Sequence, residues 1–410
     1  MEIWYISKYV APPKYTRVGT RGYQLSKELA KRGHNVTLYT SDANHLAQPP
    51  QIAGAFIDEV LERVNIRWIK TKKYTRVHSL GRILSWISFD INVLRNRKDT
   101  KPDIVIVSSL SLTTILIGII FKFLYRNKLV FEIRDIWPLV LCESGGYSKF
   151  NPAIIFLKIV ELIGYRFSDL IVGTMPNLQE YIDTVQRKER KVLCIPHGID
   201  PKGLQDDTDQ PAVNIQTYLR AEQSFIVCYA GSMGEDNALE TLILAAKKLD
   251  HINEIAFLLI GDGDMRDKYE QMALEAKNII FTGMLPKHEV TSLISQVNIL
   301  YFATHSNKLS KYGQSLNKII DYMAAGKVIL GSYSGYPSMI NEAKCGEFIP
   351  ENSVDDLVNT LGKYLKMEPY TIKEIGERGR AWLVRERSFE NLAEQYESAL
   401  KKLQNDEVQF

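Results

Sequence analysis

Short runs of strand length, apolar on both faces, alternate with amphipathic stretches along almost the whole chain. In the first half these runs are EIWYIS, NVTLYT, DIVIVSS, KLVFEI and DLIVGT; in the second they are FIVCYAGS, IAFLLIGDG, NIIFTGM, VNILYFA and KVILGSY. Helical patterns such as Gly22 to Arg32 and Pro152 to Phe167 separate them. Strands apolar on both faces and joined through helices are the mark of parallel βαβ units, whose sheet is covered on either side. At 410 residues the chain is longer than one hydrophobic core sustains. The pattern therefore predicts two doubly wound, Rossmann-like α/β domains: residues 1–200, a polar linker over 201–222, and 223–385, with a C-terminal helix in 386–410 returning to the first. Domains of this kind facing each other hold a ligand cleft at the carboxyl ends of both sheets.

Several function classes are disfavoured at once. Cys142, Cys194, Cys228 and Cys345 stand far apart without a CxxC, which suits neither a zinc site nor a disulfide framework and points to a reducing cytoplasm. The start, MEIWYISKYV, enters a strand-like run directly, so no secretory signal is expected. Leu112 to Leu124 (LTTILIGIIFKFL) is the most apolar run but falls short of the roughly 20 residues a membrane-spanning helix needs. A helix buried on a sheet is the expectation there.

Charge is unevenly spread. Between Arg63 and Lys101 eleven Lys/Arg face only Asp90 and Asp99, a local +9 in a chain of net +3. Trp68, Ile83, Leu84, Trp86, Ile87 and Phe89 are interleaved. Cations beside Trp and aliphatic side chains suit contact with an anionic membrane surface, with Arg76, Arg82 and Trp86 the leading candidates. The alternative is an amphipathic helix packed on its own domain. No nucleic-acid-binding module accompanies the patch. The expected location is cytoplasmic, peripheral on the inner face of the plasma membrane.

Five motifs carry chemistry. After the first strand, APPKYTRVGTRGYQLSKEL places Gly19 and Thr20 before a helix, where backbone N–H groups and the helix field favour an anion. YAGSMGEDNALETL repeats the arrangement in the second half with Gly231 and Gly234, without the lysine of an ATPase phosphate loop. LLIGDGDMRD contains an Asp-x-Asp, Asp262 and Asp264, in a glycine turn where aspartate commonly caps its own backbone. KLVFEIRDIWP ends a strand on Glu132, Arg134 and Asp135, three ionisable groups that are costly to bury without a role. KYGQSLNKIIDYMAAGK sets Lys318 and Asp321 one helical turn apart among apolar positions, either a solvated ion pair or a site.

In order and spacing, PPxxxxxGTR, GHNVTLYT, EIRDIWP, IPHGID, YAGSxGxxNALE, LIGDG, FTGMLP and SLNKIIDYMAAGKVIL resemble the family 4 retaining glycosyltransferases of GT-B fold. The closest likeness is to the bacterial branch that builds O-antigen, capsule and exopolysaccharide units, N-acetylfucosaminyltransferase-like members included. The resemblance implies transfer of a hexosyl or N-acetylhexosaminyl group from a nucleotide sugar, most typically UDP-linked, to a polyprenyl-diphosphate-linked saccharide, without metal or other cofactor. It assigns Gly19 and Thr20 to the donor diphosphate or acceptor, Met284 and Leu285 to the base, and Asp321 to the ribose hydroxyls. Arg134-Asp135 falls where the family carries His-Asp. The family's diphosphate-gripping Arg and Lys fall at Ser232 and Asn237, and its first glutamate at Gly313. With those cations gone, Lys318 is the expected replacement and Arg134 the second. Rival readings are a GT-B sugar-nucleotide epimerase, which calls for a histidine with a carboxylate partner, and an inactive GT-B scaffold in an assembly complex.

Overall fold

The computed structural model describes residues 1–16, 20–74, 80–186, 190–204, 213–305 and 307–405; Gly19 and Arg76 lie outside them. The chain divides into two compact units, Met1–His197 with Phe389–Phe410, and Gly198–Ser388.

The first unit runs β1 (Glu2–Ile6), α1 (Arg21–Lys31), β2 (Asn35–Ser41), β3 (Phe56–Leu61), β4 (Val64–Ile69), α2 (Leu80–Arg95) and β5 (Ile104–Ser108). It continues through α3 (Thr114–Tyr125), β6 (Lys128–Ile133), α4 (Leu139–Glu143), α5 (Pro152–Phe167), β7 (Leu170–Gly173), α6 (Leu178–Val185) and β8 (Val192–Cys194). Its eight strands are ordered β3-β4-β2-β1-β5-β6-β7-β8. All neighbours are parallel except β3, which pairs antiparallel with β4 at the edge. The all-parallel expectation fails there because FIDEVL alternates apolar with charged side chains, as a one-sided edge strand does. Central strands such as β5 (IVIVS) are buried throughout. α5 starts cleanly: Asn151 caps it by accepting from the Ala153 N–H, with Pro152 in its first turn.

The second unit contains β9 (Phe225–Ala230), α7 (Glu240–Lys248), β10 (Ile255–Ile260), α8 (Arg266–Ala273), β11 (Ile279–Gly283), α9 (Lys287–Ile294) and β12 (Ile299–Ala303). Then follow α10 (Asn317–Ala324), β13 (Val328–Ser332), α11 (Met339–Ala343), β14 (Gly346–Ile349), α12 (Val354–Leu365) and α13 (Pro369–Arg387). Its six-stranded sheet, β11-β10-β9-β12-β13-β14, is parallel throughout.

The last helix, α14 (Phe389–Gln404), belongs to the first unit. Its Leu392, Tyr396, Leu400 and Leu403 enter the core containing Leu25 and Leu29 of α1. The described part of the expected linker is not free of structure: Ile215 is buried in the second unit's core, and Gln296 accepts from the Ile215 N–H and donates to the Val213 carbonyl.

Candidate active site

In the second unit the polar groups converge where β9 ends. α10 buries Ile319, Ile320, Tyr322 and Met323 against the sheet, which leaves Lys318 beside the strand end. Its Nζ lies 2.5 Å from Asn237 Oδ1, 3.1 Å from Tyr229 Oη and 4.7 Å from the centre of the Tyr229 ring. A β-carbon on Gly231 would sit 3.2 Å from the same amine, so that glycine leaves the approach open. Among the described residues no carboxylate is within ion-pair distance of Lys318. Burial brings its pKa down to about 8. Asp321 is turned elsewhere and pairs with Lys287 of α9, both side chains about half exposed. The Lys318–Asp321 pair that the spacing offered is not formed.

The surrounding loops are backbone packed on backbone. Gly231 N–H donates to the Ile260 carbonyl and Met233 N–H to that of Asp262, each at 2.9 Å. Gly261 has φ +134°, and a β-carbon there would lie 1.9 Å from the Gly231 oxygen, so no other residue fits. Asp262 is spent on the turn: it accepts from the Gly263 N–H and lies 3.7 Å from Arg266. Ser232 is exposed, and its carbonyl accepts from Tyr229. Beyond β11, Met284 is 79% exposed and Leu285 half-buried. Gln314 Oε1 and Ser315 Oγ, in the segment entering α10, are buried with no hydrogen-bond partner among the described residues. Motif matching passed over Gln314, which neighbours the glycine that replaces the family's glutamate.

In the first unit the strand-end triplet separates by role. Glu132 is wholly buried; its Oε1 lies 2.8 Å from Arg21 of α1 and accepts from Tyr5 at 2.6 Å. Arg21 also donates to the carbonyls of Ile195 and Pro196. Glu132 is thus a structural partner, contrary to the expectation of a site role. Arg134 is fixed through its backbone, whose N–H meets Ser109 and whose carbonyl meets Thr174, while its Nε is buried without a partner among the described residues. Burial and the nearby Arg21 both press the Arg134 pKa down. Asp135 is exposed. His197 is held well below its ordinary pKa by burial, Arg134 and Arg21, and is a neutral imidazole among guanidinium groups. The charged groups that act on it are Arg134 and Arg21, not the carboxylate that an epimerase calls for. Thr20 caps α1 through its carbonyl, which accepts from Gln24.

The basic segment also divides. Trp68 and Phe89 are core residues, and Trp86 is only 4% exposed, with its indole N–H given to Tyr9. Trp86 is therefore no surface anchor, because Tyr9 offers its ring a polar partner inside. Arg82 stacks over Tyr9 and Trp86. What α2 exposes instead is Ile83, Leu84, Ile87 and Ile91. The expectation of a buried α3 is corrected likewise: Ile115, Ile117 and Phe121 are inside, but Ile120, Phe123 and Leu124 are exposed, Phe123 by 66%. α5 adds Ile155, Phe156 and Ile159. No helix of the described residues is long and apolar enough to cross a membrane.

Two parallel-sheet units of this kind define a GT-B glycosyltransferase fold. Sucrose-phosphate synthase from Thermosynechococcus elongatus shares it at TM-score 0.73 and 17% identity, over 99% of each chain. HepE from Anabaena, solved in complex with UDP-glucose, shares it at TM-score 0.66 and 14% identity, over 98% of this chain and 100% of that one. The family model "Glycosyltransferase Family 4" matches residues 18–202, and "Glycosyl transferases group 1" matches residues 213–382. Together they account for most of the chain, which belongs to the family 4 and group 1 glycosyltransferases. The O-antigen chain mannosyltransferase C of Escherichia coli is 22% identical over 386 residues, 93% of this chain and 92% of that protein.

Proposed function

We propose that this glycosyltransferase moves a hexosyl group, N-acetylhexosaminyl sugars such as N-acetylfucosaminyl included, from a UDP-linked donor to a polyprenyl-diphosphate-linked saccharide, with retention, in synthesis of a bacterial surface polysaccharide. The carrying observation is Lys318: a half-buried amine at a strand end, bonded among the described residues only to neutral oxygens, beside a glycine that keeps its approach open. A diphosphate supplies the missing counter-charge. The UDP-glucose complex of HepE and the O-antigen relative support the donor and pathway class.

In this reading Lys318 stabilises the departing diphosphate, with Gly231 leaving room for it and Asn237 and Ser232 beside it. Asp321 takes the ribose hydroxyls once Lys287 yields. The backbone at Met284 and Leu285 takes the base, and the orphaned Gln314 oxygen accepts from a donor-sugar hydroxyl. The acceptor hydroxyl attacks the anomeric carbon on the leaving-group face as the carbon–diphosphate oxygen bond breaks. A diphosphate oxygen takes the proton, so no pair of catalytic carboxylates is needed. Within the first unit, Arg134, whose buried Nε has no partner among the described residues, Asp135 and Thr20 are the proposed functional residues.

Two measurements test this. UDP-sugars are expected to raise the melting temperature, as a ligand of the folded state must, and the best donor to be turned over onto a lipid-linked saccharide. A full nucleotide-sugar panel without any shift sinks the reading in favour of an inactive scaffold. Peripheral membrane contact through the apolar α2, α3 and α5 surfaces is tested by vesicle flotation. Phe123→Glu is expected to weaken binding to anionic vesicles about tenfold, since it sets a carboxylate against acyl chains and headgroups alike. Unchanged flotation removes α3 from the contact.

A further inference from the structure

The second unit contains a recess of about 450 Å³, inside the roughly 300–1,000 Å³ range of small-molecule sites. It exists because the helices that border it bring short side chains to it, Thr291 and Ser295 from α9 and its end, Ala324 and Ala325 from the end of α10. Residues 199–204 and Arg380 of α13 complete the lining. That segment is anchored, since the Ile199 N–H donates to the Arg387 carbonyl at the end of α13. All of these residues belong to the second unit. Of the residues assigned above to the donor, Asp321 lines the recess, whereas Lys318, Asn237, Met284 and Leu285 are not among its described lining residues.

The hydrogen-bonding groups of the lining are lopsided. The Thr291 and Ser295 hydroxyls donate to the carbonyls of Lys287 and Ser292, so toward a ligand both can only accept. Asp200 accepts from the Lys202 N–H and Asp321 from Lys287, which leaves each carboxylate with lone pairs free. Against these acceptors stands one charged donor, the Arg380 guanidinium, which is half-buried and reaches no acceptor among the described residues. Formal charge cancels, Arg380 and Lys287 against Asp200 and Asp321. Ile199, Leu204 and Ile294 supply an apolar wall.

The matching ligand is neutral, rich in hydroxyl donors, carries an acceptor for the guanidinium and offers an apolar face. A phosphate sets negative charge against two carboxylates. A hydrocarbon leaves Arg380 and both aspartates without partners. A pyranose meets every demand, with hydroxyls round its rim and C–H groups on its faces. We propose that the recess is a carbohydrate site separate from that of the donor sugar, taking a neutral mono- or disaccharide, and that its occupant competes with the donor for Asp321. The binding stands on the recess alone, while the competition rests on the reading of Asp321 as the carboxylate for the ribose. Free saccharide then slows the transferase.

Titration calorimetry of the full chain with glucose, mannose, N-acetylglucosamine, cellobiose and glucose 1-phosphate tests it. At least one neutral sugar is expected to bind, and glucose 1-phosphate to bind no better than glucose. Arg380→Met, which removes the free donor, and Ala325→Leu, which fills the gap, are each expected to weaken the best sugar about tenfold. Both variants keep the melting shift with UDP-sugar, which shows them folded. In the wild type, saturating sugar is expected to reduce that shift. Three results overturn the site: no neutral sugar binds, affinity is equal in wild type and both variants, or glucose 1-phosphate binds more tightly than glucose. Sugar binding that weakens in the variants but leaves the UDP-sugar shift undiminished overturns the competition. Absence of any UDP-sugar shift before sugar is added strikes the donor reading instead, so the two failures are told apart.

Discussion

Lys318→Met is expected to lower turnover of the best donor by about 10²–10³, the effect of removing one preorganised group aimed at developing charge. The fold should not suffer. The side chain keeps its length against the Tyr229 ring, and the amine it gives up is a desolvated cation whose partners among the described residues are neutral. Donor kinetics and thermal melting in parallel check both halves. Wild-type turnover in the variant removes Lys318 from the machinery, and a collapse of melting temperature with loss of activity makes it structural.

The same amine sets a pH dependence with a definite sign. Its folded-state pKa is about 8, below the ordinary 10.5 of the unfolded chain. Between those values the unfolded state binds more protons, so this group's contribution to stability rises with pH there; below about 8 the full cost of the buried charge is present. Lys318→Met removes that slope. Donor affinity runs the other way, because the diphosphate binds the protonated amine, and it should fall as pH rises past about 8. Donor affinity that is flat from neutral pH to about pH 10, with the slope of stability unaltered in the variant, contradicts the assignment.

Both sheets were legible because buried parallel strands announce themselves as unbroken apolar runs. The edge hairpin was not, since β3 carries Asp58 and Glu59 in its middle and is not such a run. At the site, residue types were readable but partnerships were not. Lys318 and Asp321 look like a pair on one helix, and only the fold assigns the first to Tyr229 and Asn237 and the second to Lys287. Trp86 follows the same logic: amphipathic spacing identifies a helix face but not which side of it meets the core, and Tyr9, far away in sequence, claims the indole. The orphaned Gln314 and Ser315 atoms leave no mark in sequence, because an unpaired polar atom is a property of packing.

Glu132→Ala is expected to destabilise the first unit by about 3–5 kcal/mol, the cost of stripping one partner from a buried ion pair. The carboxylate holds Arg21 at 2.8 Å and Tyr5 at 2.6 Å, both fully buried, and its loss leaves Arg21 with two backbone carbonyls and Arg134 nearby. Glu132→Gln keeps an acceptor for Tyr5 and should cost less. Chemical denaturation followed by a probe in the first unit measures the difference; a loss below about 1 kcal/mol for the alanine variant contradicts the argument. The consequence reaches function through one loop. Arg21 ties Ile195 and Pro196, the residues just before His197, to the network beneath β6, and α14 supplies Tyr396 to the same buried group. A weakened network should therefore lower turnover through acceptor kinetics, while the melting shift given by the donor, whose leading cation Lys318 lies in the other unit, is retained.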